Sequence, residues 1–208
     1  MLFQIFHDLP DYYYHKYFAL CLNQTYHLTN KIEIEEQKKV ESVYTRMNYS
    51  FRKKNKTVKF IIIHYTGMKT LKSAYSRLHS EKSNVSAHYL ISRSGYIFNL
   101  LCPGIQAWHA GKSQWKNDRN LNYNSIGIEL ENKGHEYGYN FFTKHQYTSL
   151  KKLIIFLSRN FYIKDEDIIF HSDISPNRKK DPGEKFFIEK IGIKKFKKNI
   201  QKKKINIQ

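Results

Sequence analysis

Cysteine is almost absent from this chain: 208 residues hold two, Cys21 and Cys102, far apart and without a CxxC spacing. Such a pair makes no disulfide framework, and a reducing compartment is compatible with it. Long apolar runs are missing as well, since none approaches the roughly 18 residues that a membrane-crossing helix needs. The chain begins Met-Leu-Phe-Gln-Ile-Phe, but Asp8, Pro10 and Asp11 stand where a secretory apolar region should continue. A cytoplasmic location is therefore expected, with the periplasm as the alternative. Acidic residues are scarce too, 18 Asp+Glu against 36 Lys+Arg, which leaves a formal charge of +18. That surplus invites an anionic partner. Much of it, however, is diffuse lysine in a Lys/Ile/Asn/Tyr/Phe-rich background, without zinc-finger spacing, an RNP-like aromatic motif or a compact arginine patch. Specific nucleic-acid recognition is not expected, and no internal repeat is found.

What is present suits one globular domain with extensions. Residues 1–47 are aromatic and then charged without a clear period, and read as an N-terminal extension. Residues 48–193 form the domain, and 194–208 a lysine-rich tail expected to be solvated. Within the domain, Val58 to Ile63 is β-branched and apolar apart from Lys59, and reads as a buried central strand ending on His64. Leu71, Ala74, Tyr75 and Leu78 repeat at helical spacing, which predicts a helix over 69–80. Val85 to Ser92 and Tyr96 to Leu101 predict a hairpin turning at Arg93-Ser94-Gly95. Residues 102–124 form a long irregular loop of the kind that carries function. In Ser125 to Leu130, Ile126, Ile128 and Leu130 share one face, while Gly127 and Glu129 share the other, so Glu129 points either to solvent or into a cleft. Thr143 can cap a helix running to about 160, with Tyr147, Leu150, Ile154, Leu157 and Phe161 as its apolar stripe. Ile168 to Phe170 is a last short strand.

That strand delivers His171 into a loop containing two of the chain's four prolines, Pro176 and Pro182. Their fixed φ stiffens the loop around Lys179 and Asp181. His64 and His171, each at the end of a buried strand, could meet at one edge of a sheet, and Asp181 could add an oxygen. Two imidazoles and a carboxylate leave a fourth position open, the pattern of catalytic rather than structural zinc. Dispersed ligands are not a local signature, however, and a histidine at a strand end is commonly just hydrogen-bonded.

The segments Ile-Ile-Ile-His-Tyr-Thr (61–66), Val-Ser-Ala-His-Tyr-Leu-Ile (85–91), Ala-Trp-His-Ala-Gly (107–111), Asn-Ser-Ile-Gly-Ile-Glu-Leu (124–130) and His-Ser-Asp-Ile-Ser-Pro-Asn-Arg-Lys-Lys-Asp-Pro-Gly (171–183) together resemble the zinc-dependent N-acetylmuramoyl-L-alanine amidases. Phage amidase lysozymes and peptidoglycan recognition proteins belong to the same broad family. The segments occur in the family's order and cover roughly residues 48–192, with the bacterial hydrolytic branch the best match. The resemblance implies an α/β fold, a central mixed β-sheet flanked by helices, with a zinc groove on one face. It implies His64, His171 and Asp181 as zinc ligands, Glu129 as general base and acid, and Lys179 as the cation facing the substrate carbonyl. The implied activity is hydrolysis of the amide between the lactyl group of N-acetylmuramic acid and L-alanine. Peptidoglycan fragments or muropeptides would be the partners of a monomeric chain. The rival reading is a peptidoglycan-binding module without turnover.

Four further residues are candidates for substrate contact. Trp108 and His109 suit a sugar or peptide groove, although a loop tryptophan is as often a core anchor. His88 either orients structure beneath the site or touches ligand. Arg178 could meet a substrate carboxylate. Tyr65 and Tyr89 read as packing residues.

Overall fold

Three runs of isoleucine set the architecture. Ile61, Ile62, Ile63, Ile126 and Ile128 are fully buried and Ile168 and Ile169 nearly so, and segments apolar on both faces belong in the interior of a largely parallel sheet. The computed structural model describes residues 40–42, 48–52 and 57–193. The strands are β1 (Val40–Ser42), β2 (Tyr49–Ser50), β3 (Phe60–Tyr65), β4 (Tyr89–Ile91), β5 (Ile97–Asn99), β6 (Gln106–Ala107), β7 (Gln114–Trp115), β8 (Asp118–Arg119), β9 (Ser125–Leu130) and β10 (Ile168–Phe170). The helices are α1 (Leu71–His79), α2 (Lys144–Phe161) and the single-turn α3 (His171–Ile174).

The main sheet has six strands in the order β1-β5-β4-β9-β3-β10. Only β4 and β5 run antiparallel, as the predicted hairpin; the other neighbours are parallel. The sheet is thus mixed and flanked by helices, as expected. Its edge strand β1 lies before residue 48, so the sheet begins earlier than the boundary read from the sequence. The rest of the N-terminal segment and the 194–208 tail lie outside the described residues. Gly95 closes the hairpin with φ +85°, and a Cβ there would stand 2.9 Å from His145 O and Ser149 Oγ. Both the conformation and the space call for glycine.

Each face of the sheet has its own cover. Ile61, Ile63, Ile126, Ile128, Leu130 and Phe170 pack against the stripe of α2 formed by Tyr147, Leu150, Leu153, Ile154 and Leu157. Thr143 caps that helix in a reciprocal capping box with Gln146. On the opposite face, Phe60, Ile62 and Ile169 meet Ala110, Leu121 and Ile174. The irregular 102–124 segment, with the β2–β6 and β7–β8 ribbons, therefore covers the face that carries the polar site. Cys102 is buried there and disulfide-bonded. Among the described residues, no helix is long and apolar enough to cross a membrane.

Leu150 is fully buried under the sheet while Ile155, on the same helix, is 41% exposed. Leu150→Ala is expected to lower unfolding free energy by about 2–5 kcal/mol, and Ile155→Ala by less than about 0.5 kcal/mol. Urea denaturation of both variants measures the contrast.

Candidate metal centre

Parallel pairing brings the site together. β3 lies between β9 and β10, in a register that sets His64 opposite Glu129 and Ile63 opposite Phe170. The residue after Phe170 is His171, which therefore leaves β10 beside His64 and opens α3. Asp181 returns on the loop that follows, where Ser172 N donates to Asp181 O at 2.9 Å and Lys179 N donates to Ser175 O at 2.9 Å. The proline-bearing loop is thus closed onto the start of α3.

His64 Nδ1 lies 2.8 Å from His171 Nδ1, and each of these nitrogens lies 3.0 Å from Asp181 Oδ2. The three residues are 1%, 3% and 5% exposed, respectively, in the order His64, His171, Asp181. Their ligand atoms form the group of metal-ligating side chains found among the described residues. His171 Nε2 sits 3.1 Å from Ala110 O. A carbonyl can only accept, so the ring's proton is on Nε2 and the Nδ1 lone pair faces the cluster. Two imidazole nitrogens and a carboxylate oxygen about 3 Å apart fit a four-coordinate zinc that keeps one open position. Burial, then the charge of His171, holds the His64 pKa down to about 4, with Asp181 opposing. Burial alone would raise the Asp181 carboxyl, but the His171 and His64 rings beside it outweigh that and hold it well below the usual carboxylate range.

Glu129 projects from the same face of the adjacent strand. Its Oε2 is buried and has no hydrogen-bond partner among the described residues. Burial, reinforced by the charge of Asp181 and opposed by Lys179, raises its pKa well above the ordinary value. A carboxyl shifted in that direction holds its proton to higher pH than an exposed glutamate does. A cavity of about 490 Å³ adjoins this group, lined by His64, His109, Glu129, His171, Lys179 and Asp181, with Arg178 at its wall.

The structure separates the other candidates. His109 lines the cavity but is 8% exposed, and its ring lies 3.0 Å from His64 Nε2 through Nδ1 and 3.2 Å from Ser125 Oγ through Nε2. It therefore meets His64 of the candidate metal group rather than standing free in a groove. His88 is fully buried: its Nδ1 accepts from Gly127 N at 2.9 Å and its Nε2 donates to Ile105 O at 3.0 Å. Burial, then the charge of Arg52, depresses its pKa to about 3. With both ring nitrogens bound to backbone, His88 orients structure and offers no edge to a ligand. Trp108 is half-buried and anchors β2, donating from Nε1 to Ser50 Oγ at 2.9 Å. Arg178 clamps the 110–112 turn, with one guanidinium nitrogen donating to Ala110 O at 2.8 Å, Lys112 O at 3.1 Å and Ser175 Oγ at 3.0 Å.

Some site residues had no sequence signal. Asn122 Oδ1 accepts from the amides of His109 and Ala110 at 3.1 and 2.7 Å, fixing the turn over the site. Tyr65, read as packing, holds His135 Nδ1 at 2.8 Å, and His135 Nε2 reaches Glu184 at 3.1 Å. Gly127 was the one visible clue, since a glycine inside a strand marks a close approach.

A family model described as N-acetylmuramoyl-L-alanine amidase matches residues 54–184. The chain belongs to the N-acetylmuramoyl-L-alanine amidase family. It is similar to N-acetylmuramoyl-L-alanine amidase AmiD of Escherichia coli K12, 35% identical over 141 residues, covering 62% of this chain and 50% of that protein. It also matches 1,6-anhydro-N-acetylmuramyl-L-alanine amidase AmpD of Haemophilus influenzae, 41% identical over 103 residues, covering 49% and 54%. The chain spans about half the length of these curated relatives. Among solved structures, AmiD from E. coli in complex with anhydro-N-acetylmuramic acid-L-Ala-D-gamma-Glu-L-Lys superposes with a TM-score of 0.60 at 33% identity, covering 65% of this chain and 56% of that one. AmpDh3 from Pseudomonas aeruginosa in complex with anhydromuramic pentapeptide gives 0.61 at 30% identity, covering 69% and 63%.

The raised pKa of Glu129 in this amidase-family chain has a consequence for stability. The native carboxyl stays protonated at pH values where the unfolded glutamate, with a pKa of 4.5, has ionised. A raised native pKa stabilises below the unfolded value and that contribution is lost as pH rises through the native pKa. Glu129→Gln, which does not titrate, is expected to gain stability over the metal-free wild type between pH 5 and pH 8. Denaturant titrations at both pH values measure the gap.

Proposed function

We propose that the chain is a zinc amidase hydrolysing the bond between the N-acetylmuramic acid lactyl group and L-alanine of small anhydro-muropeptides, in peptidoglycan recycling. The observation that carries this reading is the carboxyl of Glu129, its Oε2 buried and without a hydrogen-bond partner among the described residues, beside the His64, His171 and Asp181 group. The family assignment and the muropeptide ligands in similar solved structures support the choice of substrate. A module that only binds peptidoglycan has no need of a buried carboxyl with a raised pKa.

Zinc held by His64, His171 and Asp181 would act as a Lewis acid at the scissile carbonyl and bring the pKa of a water to about 7. Glu129, opposite His64 across one strand pairing, is placed to take that water's proton and to return it to the departing alanine amine. Lys179 enters the cavity from the stiff loop, and its ammonium has no ion pair with a described residue. It is free to face negative charge as it develops on the carbonyl oxygen. Histidine neutrality matters equally: burial keeps His64 uncharged at neutral pH, so its nitrogen stays available as a ligand.

We infer further that one copy of the chain suffices to build the site, since His64, His171 and Asp181 meet within it. The cytoplasm and the periplasm both remain compatible with the substrate. The disulfide at Cys102 supports the periplasmic alternative, because disulfides persist in oxidising compartments.

Mass spectrometry of products from soluble anhydro-muropeptide and from intact wall, with and without chelator, tests the proposal. Cleavage should be faster on the soluble substrate, cease on chelation and return with zinc. Glu129→Ala should abolish release, and Lys179→Ala should lower kcat by about 100- to 1000-fold. No cleavage of either substrate by the zinc-loaded wild type would sink the enzyme reading, and undiminished cleavage by Glu129→Ala would sink the role of that residue.

A further inference from the structure

The proton on His64 decides whether the cluster is ready for metal. With the proton on Nδ1, Asp181 Oδ2 at 3.0 Å would accept it, and the ligand position would be blocked. With the proton on Nε2, the Nδ1 lone pair points into the cluster. Within the ligand triad the acceptors Asp181 Oδ2 and His171 Nδ1 favour the Nδ1 proton, so the metal-ready form needs a stronger preference from elsewhere.

The choice comes from behind. Ser125 Oγ lies at hydrogen-bond distance from Leu121 O. Both atoms are oxygens and the carbonyl can only accept, so the single hydroxyl proton lies between them. Ser125 Oγ then has only lone pairs for His109 Nε2 at 3.2 Å, which places the His109 proton on Nε2. His109 Nδ1 is left as an acceptor, 3.0 Å from His64 Nε2. His64 must donate there, and its Nδ1 is the nitrogen without a proton. Ser125 is fully buried and His109 is 8% exposed, so bulk water does not compete along this line.

Packing holds the line in place. A Cβ at residue 127 would stand 2.6 Å from His109 Nδ1 and 2.7 Å from its Cδ2. The bare glycine backbone of β9 is therefore the surface on which the His109 ring lies. The amide of His109 is tied to Asn122 at 3.1 Å. A hydroxyl, an imidazole and a glycine thus act on one tautomer of a distant residue.

We propose that Ser125 and His109 form a directional hydrogen-bond relay, seated on Gly127, that presets His64 as the Nε2-protonated tautomer and presents Nδ1 to the metal before the metal binds. His109 is a positioning residue in this scheme and touches neither substrate nor metal. The inference rests on the metal-holding part of the proposed function and not on the identity of the substrate.

Long-range ¹H–¹⁵N correlation spectra of the chelator-stripped wild-type chain read the tautomers directly. Nε2-H forms of both His64 and His109 are expected; an Nδ1-H form of His64 overturns the relay. Zinc affinity by chelator competition gives a second readout. His109→Phe fills the space without an acceptor and should weaken zinc binding by about 10- to 100-fold, whereas His109→Asn restores an acceptor near the Nδ1 position and should stay within about threefold of wild type. A folded His109→Phe protein, as judged by circular dichroism, that binds zinc as tightly as wild type overturns the proposal, and the spectra decide it should that variant not fold. A wild type that binds no zinc overturns the metal reading and the relay together. Zinc binding with His64 in the Nδ1-H form before loading overturns the relay alone.

Discussion

The parallel pairing of β3 with its two neighbours is the constraint on which the rest depends. Its register places His64 opposite Glu129 on one side and lets His171 emerge beside His64 on the other. A slip of one residue would turn each of these side chains to the α2 face of the sheet, into the packing of Ile61, Ile63 and Ile128. The apolar pattern that locks the sheet therefore also sets the separations of His64, Glu129 and His171. The isoleucines on the α2 face and the histidine, glycine and glutamate on the other are alternating positions of the same strands.

The site is an unusually polar interior for so small a sheet. His64, His88, His109, His171 and Asp181 are all buried, and burying polar groups is costly unless each finds a partner. Most do: His88 is bound to Gly127 N and Ile105 O, His171 to Ala110 O, and His109 to Ser125 and His64. What is left over is concentrated at one point, where lone pairs of two imidazoles and a carboxylate converge, and at Glu129 Oε2. At the site itself the outer ring nitrogens are partnered, and the unsatisfied Glu129 Oε2 stands beside the converging ligand atoms, as a preorganised site requires.

Much of this was legible in the sequence, and the limits have physical causes. Strands at Phe60–Tyr65, Ser125–Leu130 and Ile168–Phe170 announce themselves by β-branched apolar runs, and helix Lys144–Phe161 by its stripe and its Thr143 cap. His64, His171 and Asp181 could be nominated because each ends a strand or sits in a stiffened loop. The roles of His88, His109 and Trp108 could not be read. A histidine's function depends on what its two nitrogens meet, and here the partners are backbone atoms or side chains at other points of the chain, such as Ile105 O, Ser125 and Ser50. The 102–124 segment has little periodicity because side chains such as Asn122, rather than a ladder, satisfy its backbone. Edge strand Val40–Ser42 is three residues long with a parallel partner far along the chain, and such pairing leaves no local trace.

Charge completes the picture. The chain carries +18, yet its buried centre is a set of acceptors, with Lys179 and Arg178 only at the cavity wall. Were Lys179 to pair closely with Asp181 or Glu129, it would compete with a metal for the first and discharge the second. Held instead by the loop whose amide bonds to Ser175 O, it acts on Glu129 at a distance and lowers its pKa against the stronger effect of burial. Arg178 is prevented from doing the same by its bonds to Ala110 and Lys112. The loop around Pro176 and Pro182 therefore has an electrostatic effect: it brings the Asp181 carboxylate and the Lys179 cation to one cavity while keeping the two from neutralising one another.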